Sequence, residues 1–182
     1  MVFVDGENLT IRAQNLAKRY ELKPKPGPLY RQDVFIWADG TGFPQPDLGI
    51  WHDQWVAGSP LRSSYYTSLT GTHEEVSDVK QALWNLGFQP EVFKRNKPGQ
   101  KAKGVDIALT KDMLSNAFLG NYDTAILVAG DGDYVPLVQE VKRLGKRVHV
   151  CFFPTDGLSP DLKLASDCFI DLTNTFIQTW KR

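Results

Sequence analysis

Four aspartates carry the chemistry this sequence can offer. Asp5 ends the run "VFVD", Asp131 and Asp133 close "AILVAGDGD", and Asp106 opens "DIALTKDML". The apolar runs before Asp5 and Asp131 read as buried strands, which puts both acids at strand tips. On a helical wheel Asp106 falls near the middle of an apolar arc formed by Ile107, Leu109, Met113, Leu114, Ala117 and Phe118. A carboxylate directed into a core is costly unless it is paired, hydrogen-bonded or bound to a metal. Plainer readings stand beside these. Asp5-Gly6 is ordinary turn chemistry after a strand. Asp106 can instead be the first residue of its helix, favoured there by the helix dipole. Asp133 can cap a helix beginning at Tyr134, with Pro136 tolerated in the first turn. Asp131, two residues upstream, has no capping role of that quality. Asp112 falls on the polar side of the same wheel and reads as a solvated or supporting acid.

If Asp5, Asp106 and Asp131 converge, with or without Asp133, they form an acidic pocket that must take up protons or a cation. Oxygen ligands without His or Cys select a hard ion, Mg²⁺ or Mn²⁺. Such an ion can activate water and clamp a phosphodiester. Lys94, Arg95, Lys97, Lys101 and Lys103 crowd the segment just before Asp106. Lys101 and Lys103 are the candidate phosphate contacts. Acids to hold a metal beside bases to hold a phosphate backbone is the logic of a nuclease.

The surrounding elements must bring these groups together. Val2 to Val4 reads as a strand, followed by a helix capped by Asn8 that runs to Tyr20 and stops at "KPKPGP". Val34 to Trp37 reads as a short strand. Residues 40–60, rich in Gly, Pro and Trp, read as a long irregular excursion. Arg62 to Leu69 reads as a strand. Thr72 and Glu75 have capping-box spacing for a helix that ends at Gly87. Glu91 to Lys94 is strand-like. A helix over Val105 to Phe118 follows, then a strand over Thr124 to Ala129 and a helix over Tyr134 to Leu144. The chain closes with a strand over Val148 to Phe153, a helix near Leu158 to Ser166 and the short strand "CFIDL". Strands alternating with helices imply an α/β fold with a mainly parallel sheet covered on both faces. Ligands in such sheets sit beyond the carboxyl ends of the strands, where the winding reverses.

Composition sets the outer limits. The chain has 182 residues, 42% hydrophobic and 12% aromatic, which suits one domain over residues 1–182. Lys and Arg total 21 and Asp and Glu total 21, so a uniformly basic coat is excluded and only local patches can steer a polyanion. Lys142, Arg143, Lys146 and Arg147 make a second such patch. No stretch reaches the ~18 apolar residues of a membrane span. The first residues lack the order of a secretory signal, so a cytoplasmic protein without membrane contact is expected. Cys151 and Cys168 read as reduced thiols in that compartment.

Taken together, "FVDGEN" (Phe3 to Asn8), "KGVDIALTKDML" (Lys103 to Leu114), "AILVAGDGDYVPLV" (Ala125 to Val138) and "LASDCFIDL" (Leu164 to Leu172) resemble the NYN family of PIN-like nucleases, in particular its LabA-like (DUF88) branch. The resemblance implies a three-layer α/β/α PIN-like (Rossmann-like) domain. It also implies divalent-metal-dependent cleavage of RNA. The family's metal acids map onto Asp5, Asp106, Asp131 and Asp133, and Asn8 onto a polar pocket residue that contacts a ligand or holds Asp5. The sequence departs from the pattern in its excursion at 40–60 and in "AGDGDY", where a serine before the first Gly and a phenylalanine after the second acid would be expected.

Other motifs carry less. "DGDYV" fits the start of a haloacid-dehalogenase phosphatase, with Asp131 as nucleophile and Asp133 as acid/base, but the remaining 49 residues supply no convincing partners. The dinucleotide fingerprint and the phosphate loop are both missing, so no nucleotide cofactor is expected. His52, His73 and His149 are scattered and have no nucleophile partner. Trp51, His52, Trp55, Tyr65 and Tyr66 could stack unpaired bases or pack on their own loop. A non-catalytic RNA- or protein-binding module that retains the pocket is the alternative function, and a homodimer is compatible with either.

Overall fold

The computed structural model describes residues 1–22, 62–95 and 104–180. The expected strand at Val34 to Trp37, the excursion at 40–60, and Lys97, Lys101 and Lys103 lie outside these residues.

The order along the chain is β1 (Val2–Asp5), α1 (Gly6–Arg19), β2 (Ser63–Thr70), α2 (His73–Asn85), β3 (Gln89–Arg95), α3 (Val105–Phe118), β4 (Thr124–Val128), a 3-10 turn (Gly132–Tyr134), α4 (Val135–Arg143), β5 (Arg147–Phe152), α5 (Pro160–Ala165), β6 (Cys168–Asp171) and α6 (Thr173–Trp180). The six strands form one sheet in the order β3-β2-β1-β4-β5-β6, and every pairing is parallel.

Strand alternation divides the core into two. Val2, Val4, Ile126 and Val128 face one side and pack with Leu9, Ala13 and Leu16 of α1, Val79 and Leu83 of α2, and Phe176 of α6. Phe3, Leu127 and Ala129 face the other side and pack with Leu109 and Met113 of α3, Val138 and Val141 of α4, and Leu162 of α5. The result is three layers, α/β/α. Winding runs from β1 outward through β2 to β3, then returns to begin again at β4 on the other side of β1. Right-handed crossovers put α1 and α2 on one face, and the reversal sends α3, α4 and α5 to the other. The switch point therefore lies between the carboxyl ends of β1 and β4.

Three sequence expectations change. Tyr65 and Tyr66 are not exposed stacking platforms, because β2 lies inside the sheet and buries both rings completely. The apolar arc expected on α3 is too wide. Its buried stripe is Val105, Leu109, Met113 and Ala117, while Ile107 and Phe118 are 72% and 77% exposed. α6 has no counterpart among the expected elements, and its Phe176 is fully buried.

Candidate functional site

Asp5 is the last residue of β1, and helix α1 starts at the next residue. With no loop between them, Asp5 itself becomes the N-cap: its Oδ1 accepts the Asn8 backbone N–H at 3.0 Å. Asn8 is therefore not the cap expected from sequence but sits inside the first turn. Its side chain is free to reach across the switch point, where its Oδ1 accepts the Gly130 N–H at 3.0 Å. The abrupt strand-to-helix change requires glycine at position 6, since a Cβ there would overlap the Tyr65 ring and press on the Tyr66 carbonyl. Asp5 is 3% exposed and follows Phe3 on the side of the sheet that faces α3.

Tyr134 is the residue that draws the acids together. Its hydroxyl donates toward Asp5 Oδ2 at 2.9 Å and toward Asp106 Oδ1 at 3.2 Å. Asp106 lies in the first turn of α3, close to the positive end of the helix dipole, and is exposed. Of the two readings of Asp106, the first-turn acid is the one found. Burial pushes the Asp5 carboxyl up to about 7; the Asn8 N–H and Tyr134 hydroxyl bonds oppose that rise, while the charges of Asp106 and Glu7 add to it. Burial, and then the two carboxylates, hold the Tyr134 phenol far above its ordinary value, so it keeps its proton. In the sequence Tyr134 stands out only as a departure from the motif. Glu7 carries no sequence signal of its own, and its carboxylate accepts the Ser68 hydroxyl.

Asp131 and Asp133 follow β4 at the same edge of the sheet. Their roles are the reverse of the capping reading. Asp131 caps the 3-10 turn, its Oδ1 accepting the Asp133 N–H at 3.1 Å, while α4 begins only at Val135. The reason is the turn itself, which displaces the start of the α-helix past Asp133. Asp133 is exposed. Asp112 accepts the hydroxyl of the buried Tyr66 at 3.1 Å and pairs with Lys111 at 3.3 Å, which makes it a supporting acid on α3.

The charged groups around these acids sort by edge. Lys94 and Arg95 end β3 at the edge that carries the acids. Lys142, Arg143 and Lys146 sit near the opposite edge and are already paired with Asp167, Glu140 and Asp123. Arg12 and Arg19 of α1 both pair with the buried Asp156, pinning the β5–α5 connection to α1.

Asp5 and Asp106 present only oxygen donors, placed on either side of one hydroxyl. That chemistry fits Mg²⁺ or Mn²⁺, which are commonly held by one or two carboxylates with water completing the shell. It is not a closed cage: among the described residues no three His, Cys, Asp or Glu side chains converge to hold a metal. No helix among the described residues is long and apolar enough to cross a membrane. Cys151 and Cys168 are free thiols.

Comparison with known proteins agrees with this architecture. The family model of the NYN domain matches residues 1–173. The chain is similar to uncharacterized protein MJ0482 of Methanocaldococcus jannaschii, at 28% identity over 96 residues, a stretch that is 53% of this chain and 36% of the archaeal protein. Its fold is similar to the crystal structure of VPA0982, a protein of unknown function from Vibrio parahaemolyticus, with a TM-score of 0.62 and 20% identity over 94% of this chain and 90% of that one.

Proposed function

This chain belongs to the NYN domain family of PIN-like nucleases, and from that premise we propose that it is a divalent-metal-dependent ribonuclease of the LabA-like branch. The observation that carries the reading is the meeting of Asp5 and Asp106 at the switch point through Tyr134. In this reading Asp5 and Asp106 hold Mg²⁺ or Mn²⁺, and Asp131 and Asp133 assist directly or through water. The bound ion supplies water activation and neutralises charge on the phosphodiester. Asn8 keeps the ends of β1 and β4 in register, so the two halves of the acidic site do not drift apart. Lys94, with Lys101 and Lys103, holds the RNA backbone near the acids. The protein acts in the cytoplasm, alone or as a homodimer.

The test is cleavage of a labelled single-stranded RNA in Mn²⁺ or Mg²⁺. Asp5→Asn, Asp106→Asn and Asp131→Asn each lower the rate by at least 100-fold, on the order of 3 kcal/mol in the barrier, while far-ultraviolet circular dichroism stays unchanged. A wild-type protein inert with both ions, or an Asp106→Asn variant as fast as wild type, would reject catalysis. One observation favours a second reading, a non-catalytic RNA-binding module: the Tyr134 hydroxyl engages an oxygen of each of the two acids. Tight, salt-sensitive RNA binding without turnover would establish it.

A further inference from the structure

We propose that the Tyr134 hydroxyl competes with the divalent cation for the same two carboxylate oxygens, so that ion entry has to break the phenol's hold on Asp5 and Asp106. The proposal rests on the reading of those two aspartates as the ion's carboxylates. The hydroxyl lies 2.9 Å from Asp5 Oδ2 and 3.2 Å from Asp106 Oδ1. A phenol has one proton, so it can donate fully to only one of these two oxygens at a time. Asp5 Oδ1 is already engaged by the Asn8 N–H. On the other side, the N-cap of α3 is Gly104, which has no side chain with which to cap the helix beside Asp106. A single neutral donor therefore stands between two acidic side chains, at the place where positive charge would serve both.

Tyr134 is not free to leave. Its side chain is 3% exposed and packs in the core formed with α3 and α4. Its backbone N–H is bonded to the Asp131 carbonyl at 3.3 Å. The hydroxyl is thus built into the fold at the mouth of the site and lowers ion affinity for as long as it holds its two partners. The protein becomes one that responds to a rise in free divalent ion instead of one that is always loaded.

Mn²⁺ binding, followed by the loss of the free-ion paramagnetic resonance signal at pH 8, tests this without reference to activity. Tyr134→Phe keeps the ring and removes the hydroxyl, and binds Mn²⁺ about tenfold tighter than wild type, the scale of one hydrogen bond to a charged group. Tyr134→Met shifts affinity in the same direction, which guards against a defect specific to one variant. Asp106→Asn keeps an acceptor for the phenol but loses the charge, and weakens Mn²⁺ at least tenfold, locating the ion. Equal or weaker binding by Tyr134→Phe overturns the competition while leaving the nuclease reading intact. Absence of Mn²⁺ binding in both wild type and Tyr134→Phe overturns the competition and the metal site together.

Discussion

A carboxylic acid folded into a dry place keeps its proton longer than one in water. Asp5, buried and with its pKa raised to about 7, binds a proton in the native state that it would release in the unfolded chain. Between about pH 4 and pH 7 the native state therefore holds more protons, and stability falls as pH rises across that window. In EDTA, urea unfolding at pH 5 and pH 8 shows wild type losing stability relative to Asp5→Asn at pH 8, a comparison that cancels the opposite contributions of the Met1 amine and His149, both held below their ordinary values by burial. The loss reaches up to a few kcal/mol, since each tenfold gain in proton affinity on folding is worth about 1.4 kcal/mol. If Asp5 holds Mn²⁺, the added ion shrinks that difference by favouring the ionised form. A wild-type stability that does not fall relative to Asp5→Asn over the same range would mean that Asp5 is ionised in the native protein. At this scale the sequence was readable where an acid ended an apolar run, as at Asp5 and Asp131. Tyr134 was not readable, because a hydroxyl that reaches residue 5 from residue 134 leaves no local trace.

Elements were legible where the signal was local and two-sided. Thr72 and Glu75 form the expected reciprocal capping box on α2. Thr72→Ala costs about 1 kcal/mol, measurable by urea unfolding. Gly6→Ala costs more, because its Cβ has no room beside Tyr65, and it also reduces any metal-dependent activity by tilting the start of α1. If the two variants lose equal stability and Gly6→Ala retains full activity, the close approach at Gly6 is not what aims Asp5. Periodicity misled on α3, where Ile107 and Phe118 have core-like chemistry yet face outward. α6 escaped because its start signal lies one element back: Asp171, the last residue of β6, accepts the Thr173 N–H at 2.8 Å. Asn8 illustrates the same difficulty, since the cap could not be assigned without knowing that helix follows strand with no intervening loop.

For the whole molecule, parallel winding decides which charges matter. The reversal between β1 and β4 gathers the acids at one edge of the sheet, and that edge follows from the alternation of strand and helix. The basic groups could not be sorted from sequence, where both clusters look alike. Lys94 is exposed at the acidic edge, whereas Lys142, Arg143 and Lys146 are tied to acids near the far edge. Lys94→Glu weakens RNA binding and reduces its salt dependence, whereas Lys146→Gln changes neither, as read by fluorescence polarisation across a salt series. Equal effects from the two would remove the acidic edge as the binding face. The same winding sets a timetable during synthesis. Asp5 leaves the ribosome well before Thr124–Val128 and Tyr134, which supply the strand and the phenol that complete its surroundings. In that interval the emerging polypeptide carries only half of the acidic site, and nothing that both halves must hold can be bound.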